Sequence, residues 1–282
     1  MKPPYLSAAE IERRLGVPGA VEALEGALRA GFDPETDPPR SAVEVGPGEL
    51  LVMPSAAGGH AAVKLVSVGG EPRIQGLCVL FDGETLAPVA VLDGIALTNL
   101  RTPAVSALAV RHLAAPEARR LLVFGRGPQA HAHAEAMGTV RPIEQVDLVG
   151  RQHDGDVDAL VAAADVICCC TTAREPLFHG GLVADDATVV AIGSHERDAR
   201  EVDATLVRRA AVVVESRASA LREAGDVIQA VESGALEEDQ LLTLAQLVRD
   251  RSALQAGRPR LFKSTGMAWE DLVLAEAVHA GI

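Results

Sequence analysis

The spacing of hydrophobic residues changes along the chain, and the first change separates a helical segment from a run of strands. Residues 6–30 carry apolar side chains at helical intervals, with a break at Val17-Pro18-Gly19. From residue 41 onward, short apolar or alternating runs predict strands separated by glycine-containing turns. These runs are 49–53, 61–68, 74–81 and 88–93. Helices followed by adjacent strands predict a two-layer α+β domain.

The second change of pattern follows a helical segment in the middle of the chain. Residues 102–114 have apolar side chains at helical spacing, and Pro103 suits the first turn of a helix. Strand-length apolar runs then alternate with helical segments. The predicted strands are 121–124, 145–149, 165–170, 188–192, 211–214 and 260–263. The predicted helices are 128–137, 157–164, 198–208, most of 216–249, and 269–280. We therefore predict an α/β fold, in which a doubly wound Rossmann domain accompanies the α+β domain.

A glycine-rich turn joins the first strand of this alternation to its first helix. The turn consists of Gly125, Arg126, Gly127, Pro128, Gln129 and Ala130. Gly125 would allow the sharp turn, Gly127 would let a pyrophosphate approach the backbone, and Ala130 would keep the helix close to the strand. The helix N-terminus would supply N–H groups and partial positive charge to the phosphates. The alternative is an ordinary turn, but the strand before it and the helix after it favour dinucleotide binding.

The residue after the second strand of a Rossmann domain selects between the two nicotinamide cofactors. An acidic residue there would bind the ribose of NAD(H), whereas a basic residue suits the extra phosphate of NADP(H). Arg151 occupies this place, and Asp154 and Asp156 nearby weigh against it. We predict NADP(H), with NAD(H) as the alternative.

Composition excludes several classes of partner. The 282 residues suffice for two domains, and with 2% aromatic residues the cores must consist largely of Ala, Val and Leu. A formal net charge of -13 disfavours binding to nucleic acid or to anionic membranes. The sequence shows neither a signal peptide nor a membrane-spanning apolar run, so we expect a soluble, cytoplasmic protein.

The cysteines do not have the spacing of a metal site. Three of the four, at positions 168–170, are consecutive in a predicted strand, where neighbouring side chains point to opposite faces. They cannot form a tetrahedral metal cluster, so we predict buried thiols and no metal.

Three cations stand out in the N-terminal part, where the strands carry little charge. Lys64 lies inside the apolar run 61–66, Arg101 follows Leu97-Thr98-Asn99-Leu100, and Arg40 ends a proline-rich loop. Arginine and lysine in such places either face solvent or bind a carboxylate in a pocket. The residues alone leave both interpretations open.

Several segments resemble the ornithine cyclodeaminase/mu-crystallin family. The stretch 97–109, Leu-Thr-Asn-Leu-Arg-Thr-Pro-Ala-Val-Ser-Ala-Leu-Ala, is similar to the family signature, and the turn at 125–130 is also typical of it. Met53-Pro54 with Lys64-Leu65-Val66 resembles the family's first sheet. The stretch 262–268, followed by Asp271-Leu272, resembles its C-terminal motif. The matches run from about residue 39 to the last helix.

The resemblance implies an organisation and a set of site residues. Residues 1–114, completed by 258–282, would form a substrate-binding and dimerisation domain, and 115–257 the Rossmann domain. Sheets of the first domain would pair across a homodimer. Arg40, Lys64 and Arg101 would hold the α-carboxylate of a small imino or amino acid. Ser264 would lie close to the nicotinamide, and Thr171 is a further expected cofactor contact.

One position departs from the cyclodeaminase pattern and directs the functional prediction. Cyclodeaminases carry an aspartate soon after the glycine that ends the fourth Rossmann strand, and here His195 stands in its place. Histidine can act as a general acid near neutral pH. We therefore predict an NAD(P)H-dependent reductase of a cyclic ketimine, such as Δ1-pyrroline-2-carboxylate or Δ1-piperideine-2-carboxylate, with His195 or Lys64 assisting protonation. The alternatives are ornithine cyclodeaminase, an amino-acid dehydrogenase such as alanine dehydrogenase, and a non-catalytic NADP-binding protein like mu-crystallin.

Overall fold

The chain forms two compact units, each built around one sheet. A computed structural model describes residues 2–250, 252, 254 and 257–281. Unit 1 comprises Met1–Val105 and Met267–Ile282, and unit 2 comprises Ser106–Gly266. Among the described residues, no helix combines the length and the apolar character needed to cross a lipid bilayer.

The elements follow one another in mixed order along the chain. The strands are β1 Tyr5–Leu6, β2 Ser41–Val45, β3 Gly48–Ala57, β4 His60–Val68, β5 Ile74–Asp82, β6 Pro88–Asp93, β7 Arg120–Phe124, β8 Gln145–Val149, β9 Val166–Cys169, β10 Thr188–Ala191, β11 Ala211–Val214, β12 Leu242–Thr243 and β13 Arg260–Lys263. The helices are α1 Ala8–Arg14, α2 Val17–Arg29, α3 Gly94–Leu113, α4 Pro128–Val140, α5 Val157–Ala163, α6 Ala204–Arg209, α7 Arg217–Glu223, α8 Gly225–Glu232, α9 Leu244–Arg249 and α10 Ala268–Ala280.

The sheet of unit 1 has the strand order β1-β6-β5-β4-β3-β2. Its strands are antiparallel to their neighbours except β1, which pairs with β6 in parallel. Side chains alternate between faces along each strand. One face is buried, and Leu51, Met53 and Val66 on it pack with Ala268 of α10. Helix α10 lies against β3, β4 and β5, so the last helix of the chain covers this sheet.

The opposite face of the same sheet is apolar but only partly shielded. We call it the apolar face of unit 1. It consists of Val43, Val52, Pro54, Val63, Leu65, Leu77, Val79 and Val91. Leu77 and Val43 on this face are 42% and 51% exposed.

The sheet of unit 2 is wholly parallel, with the order β12-β11-β13-β10-β9-β7-β8. Val189, Val190 and Ala191 of β10 are each 0% exposed, as expected of a central strand with both faces covered. The predicted α/β fold with a doubly wound sheet is confirmed. Cys168 and Cys169 are buried thiols of β9, as predicted, whereas Cys170 lies beyond the end of the strand and is only partly buried.

Helix α3 is longer than its sequence pattern indicated. It begins at Gly94 rather than at residue 102, so Pro103 lies inside the helix and not in its first turn. Asp93 sets the start, because its Oδ1 accepts hydrogen bonds from the N–H groups of Ile95 and Ala96 at 3.0 and 2.9 Å. Arg101 therefore lies within a helix instead of preceding one.

The predicted helix 198–208 is shorter in the structure. Only Ala204–Arg209 is helical, with Asp203 as its N-cap, and residues 193–201 form a loop. Buried carboxylates hold this loop, as described below, and their hydrogen bonds replace those of a helix. Strands β1, β2 and β12 are additional elements that the hydrophobic pattern did not indicate, and β12 lies within the segment 216–249 predicted as mostly helical.

The boundaries of the two units differ from the predicted domain limits. The first division falls within α3, after Val105 rather than after residue 114. Residues 258–266 belong to unit 2 rather than unit 1, because β13 pairs in parallel with both β10 and β11. The chain returns to unit 1 only from Met267 onward.

Asp37 links three parts of unit 1. Its Oδ1 accepts a hydrogen bond from the Ser55 hydroxyl at 2.7 Å, and its Oδ2 accepts one from the Trp269 N–H at 2.8 Å. The second bond satisfies an N–H group in the first turn of α10. Burial raises the pKa of Asp37 to about 6, and the nearby Asp271 carboxylate adds to the rise.

We expect the Asp37 carboxyl to make the stability of the protein depend on pH. Its folded pKa is above the unfolded value of about 3.9, so the free energy of unfolding falls as pH rises from about 4 to about 6. Asp37→Asn removes this ionisation, and its amide can still bond to Ser55 and to the Trp269 N–H. The free energy of unfolding of the variant, relative to that of wild type, should therefore be roughly 1 kcal/mol higher at about pH 7 than at about pH 4. Urea unfolding at both pH values measures the gain. Asp33→Asn, a substitution at an exposed position in the same loop, is the control. The prediction is contradicted if Asp37→Asn and wild type differ in free energy of unfolding by the same amount at both pH values.

Candidate active site

The glycine turn of unit 2 has two glycines with different physical requirements. Gly125 has a φ of +121°, a backbone conformation that residues other than glycine rarely adopt. Its N–H donates to Val149 O at 2.8 Å. A Cβ at Gly125 would lie 2.6 Å from the Cys170 carbonyl oxygen. The protein itself therefore requires glycine at this position, because strands β7 and β9 end against each other here.

Gly127 is not required by the protein's own packing. It is the N-cap of α4 with a φ of -81°, and a Cβ there would have nothing within 4 Å. Because glycine has no side chain to cap the helix, the partial positive charge of the α4 N-terminus is left for a bound anion. Ala130 is 0% exposed, so the helix lies close to the strand as predicted. This arrangement fits the pyrophosphate of a dinucleotide.

Two arginines lie at the end of strand β8. The side chain of Arg126 extends over Gly150, where a Cβ would lie 3.0 Å from Arg126 Nε. Its Nη2 donates a long hydrogen bond of 3.4 Å to Leu148 O. Arg151 follows Gly150 directly, and both arginines are exposed. The edge of the sheet that follows β8 is therefore basic.

Two further predicted cofactor contacts are held by buried carboxylates. The Thr171 N–H and hydroxyl both donate to Glu201 Oε1, at 2.8 and 2.7 Å. The Ser264 hydroxyl donates to Glu215 Oε1 at 2.7 Å, and Glu215 Oε2 accepts from the Thr265 N–H at 2.9 Å. Glu201 and Glu215 are 0% and 2% exposed. The sequence analysis named neither glutamate as a candidate. For Glu215 a signal was present, because it directly follows β11 and ligands bind at the carboxyl ends of parallel strands.

Burial shifts the titration of Glu201. Its pKa is raised to about 7 by loss of solvent, while Lys263 and the hydrogen bonds from Thr171 and Gly193 oppose the rise. Both oxygens accept backbone N–H groups, from Thr171 and Gly193, and these bonds favour the carboxylate form.

His195 lies in the loop between β10 and α6, and its side chain is exposed. The preceding residue, Ser194, is buried, and its carbonyl accepts a hydrogen bond from Lys263 Nζ at 2.8 Å. The histidine thus projects from a segment of backbone that the protein core holds in place.

In unit 1, Lys64 forms a buried ion pair with Asp271. Lys64 Nζ lies 2.9 and 3.0 Å from the two Asp271 oxygens, and the side chains are 2% and 1% exposed. Burial lowers the pKa of Lys64, the Asp271 carboxylate raises it, and the nearby Arg101 lowers it further. The apolar run around Lys64 thus places the ammonium inside the protein and not in solvent.

Arg101 forms the second buried pair of this region. Its Nη1 lies 3.1 Å from Glu270 Oε2, and the glutamate is 0% exposed. Glu270 and Asp271 are consecutive in the first turn of α10, so one helix turn fixes both cations. Arg40 lies half-buried in the loop before β2. The structure thus brings Lys64 and Arg101 together, each paired with an acidic residue of α10. The sequence analysis named Asp271 only as part of a family motif and did not name Glu270.

Comparisons with known proteins show which family and which relatives the chain is similar to. The family model described as "Ornithine cyclodeaminase/mu-crystallin family" matches residues 1–157 and 154–282. A Delta(1)-pyrroline-2-carboxylate reductase of Colwellia psychrerythraea is 36% identical over 73% of each chain. Ketimine reductase mu-crystallin of Mus musculus is 35% identical, over 98% of this chain and 96% of the relative. The solved structure of Thermococcus litoralis Delta(1)-pyrroline-2-carboxylate reductase, in complex with NADH and L-proline, is similar with a TM-score of 0.90 and 27% identity. The similarity covers 98% of this chain and 96% of the Thermococcus litoralis chain.

Substitution of the two glycines should separate folding from cofactor binding. We expect Gly127→Ala to fold with a loss of less than about 1 kcal/mol, because the backbone is ordinary and the space is open. It should weaken NADPH binding about tenfold or more, because the methyl group would occupy the place predicted for the pyrophosphate. Gly125→Ala should instead destabilise unit 2 by more than about 2 kcal/mol, through strain and the contact with Cys170 O.

Urea unfolding and titration of NADPH fluorescence measure the two effects. Unchanged NADPH affinity in a folded Gly127→Ala protein contradicts the assignment of this turn to the pyrophosphate.

Proposed function

The chain belongs to the ornithine cyclodeaminase/mu-crystallin family, and we propose that it is an NAD(P)H-dependent reductase of a small cyclic imino acid. Δ1-Pyrroline-2-carboxylate and Δ1-piperideine-2-carboxylate are the candidate substrates. The observation that carries the proposal is the pair of buried cations, Lys64 and Arg101, fixed by consecutive acidic residues. Relatives named as reductases of such imines cover most of the chain and support it.

The cations of unit 1 suit the α-carboxylate of the imine. A guanidinium offers two parallel N–H donors to a carboxylate, and an ammonium offers a compact charge. Because Asp271 and Glu270 already restrain Lys64 and Arg101, little side-chain entropy remains to be lost on binding. We propose that these two residues, with Arg40, hold the carboxylate and so orient the imine carbon.

The reduction adds a hydride to the imine carbon and a proton to the nitrogen. The nicotinamide cofactor supplies the hydride when bound, and unit 2 offers the glycine turn, Thr171 and Ser264 to hold it. His195 is exposed and can regain a proton from solvent, whereas the Lys64 ammonium is enclosed and bound to Asp271. We therefore propose His195 as the proton donor and Lys64 as a fixed cation.

The basic end of strand β8 supports a preference for NADP(H). The extra phosphate of NADP(H) is carried on the adenosine ribose, which binds after the second Rossmann strand. Arg126 and Arg151 are both exposed there, and guanidinium groups bind phosphate in a bidentate manner. We propose that these two arginines select NADPH over NADH.

The apolar face of unit 1 supports a homodimer. A partly exposed sheet face lined with Val, Leu and Pro marks an interaction surface. A symmetric dimer buries the same surface on both subunits, so one self-complementary sheet face is sufficient. We propose that the apolar faces of two copies pack together.

The function is tested by cofactor oxidation with each imine. We expect imine-dependent oxidation of NADPH, and slower oxidation of NADH. Arg101→Lys retains a cation beside Glu270 but loses the two-pronged donor, so the KM for the imine should rise about tenfold while the Kd for NADPH stays constant. His195→Asn should lower kcat with little change in KM.

Other outcomes would identify the competing functions. Proline and ammonia formed from ornithine without net cofactor consumption would indicate a cyclodeaminase. Reduction of pyruvate with ammonia would indicate alanine dehydrogenase. NADPH binding without turnover of any of these compounds would indicate a binding protein.

The dimer is tested by mutation of its proposed interface. Leu65 and Leu77 are cross-strand neighbours on the apolar face, so the double variant Leu65→Lys, Leu77→Lys places two charges in the interface. We expect it to be a monomer, whereas wild type is a dimer, by light scattering after size exclusion. Val146→Lys is the matched control, since Val146 is 45% exposed on β8 of unit 2. A wild-type monomer, or a dimer that survives the double change, contradicts the proposal.

A further inference from the structure

The loop that carries His195 is closed at its base by one buried carboxylate. Residues 193–201 connect β10 to the segment before α6, and the Gly193 N–H donates to Glu201 Oε2 at 2.7 Å. The first and last residues of the loop are thus joined directly. Between them, His195 and its neighbours up to residue 198 are exposed.

The same carboxylate also holds the segment after β9. Its other oxygen accepts both the N–H and the hydroxyl of Thr171. Glu201 therefore bridges the carboxyl ends of two adjacent parallel strands, β9 and β10. This is the edge of a doubly wound sheet at which nucleotides bind.

Asp226 binds the backbone of Glu201 and forms an ion pair with Lys263. Asp226 Oδ1 accepts the N–H groups of Glu201 and Val202 at 2.7 and 3.0 Å. Its Oδ2 lies 2.9 Å from Lys263 Nζ, which also donates to Ser194 O at 2.8 Å. Asp226 and Lys263 are 2% and 1% exposed. Lys263 ends strand β13, so the three charges connect three strand ends and the His195 loop.

Close packing around the loop agrees with a fixed conformation. A Cβ at Gly225, the first residue of α8, would overlap the carbonyl oxygens of Glu196, Arg197 and Ala199. The Gln229 side chain donates to Arg197 O at 3.1 Å. The exposed part of the loop is therefore seated on α8 even though its side chains face solvent.

We propose that Glu201, Asp226 and Lys263 are positioning residues, which hold Thr171 and the His195 loop in the geometry required for the cofactor and for proton transfer. This inference rests on the proposed function, because it adopts the roles of Thr171 and His195 stated there. Burying three charges is costly, and apolar residues can often replace buried ion pairs without loss of stability. What apolar residues cannot supply is a set of directed hydrogen bonds to Thr171, Gly193 and Ser194.

The test compares Glu201→Gln with a matched control, Asp203→Asn. Asp203 also lies in unit 2 and accepts two backbone N–H groups, from Leu206 at 2.8 Å and Gly180 at 3.1 Å, but it lies outside the network. We expect both variants to lose stability. Only Glu201→Gln should weaken NADPH binding about tenfold and speed hydrogen exchange across 193–201. The reason is that its NH2 group would face an N–H donor where the carboxylate oxygen accepts a hydrogen bond.

With the imine, Glu201→Gln should lower kcat about 10- to 100-fold at unchanged imine KM, because the cations of unit 1 are intact. If Glu201→Gln does not fold, Asp226→Asn replaces it, since its remaining oxygen still accepts the N–H groups of Glu201 and Val202. NADPH affinity and loop exchange equal to the control in a folded variant overturn the proposal. Both measurements need no imine, so they remain decisive if the protein reduces none of those tested.

Discussion

The buried ion pair between Lys64 and Asp271 determines how unit 1 is assembled. A lysine inside an apolar strand is tolerated only when a partner compensates its charge, and here the partner lies 207 residues later in the sequence. Helix α10 must therefore dock on the sheet before the lysine is stabilised. Glu270, the preceding residue, fixes Arg101 by the same docking. The position of one helix turn thus decides the position of both candidate substrate cations.

Unit 2 also uses buried carboxylates, but there they bind neutral donors instead of cations. Buried carboxylates, Glu201 and Glu215, collect N–H and hydroxyl donors from loops at the carboxyl ends of the strands. Local backbone geometry alone would leave these loops free to rearrange. A carboxylate with several donors allows few alternatives, since each moved donor leaves a buried polar atom unsatisfied. In both units, therefore, buried acidic groups hold the candidate site residues in place.

Local signals in the sequence accounted for the elements of the fold, and contacts between distant residues accounted for what those signals missed. The glycine turn was recognisable because Gly125 and Gly127 lie in one short segment between a strand and a helix. Pro103 suggested a helix start, but the Asp93 cap ten positions earlier decided it. The helix expected over 198–208 begins only at Ala204, because Asp226 of another element accepts the N–H groups of Glu201 and Val202. Glu201 itself had no local signal, since its donors come from separate strand ends.

The acidic surface and the paired cations together constrain how an anionic substrate is bound. With a net charge of -13, the protein's long-range field repels a carboxylate, and Lys64 and Arg101 contribute little attraction at a distance because Asp271 and Glu270 offset them. Attraction must then arise at short range, from directed hydrogen bonds whose strength depends on geometry. Such recognition tolerates little displacement of the donors. Burial and restraint of Lys64 and Arg101 therefore fit their proposed role, although exposed lysines and arginines would carry the same formal charge.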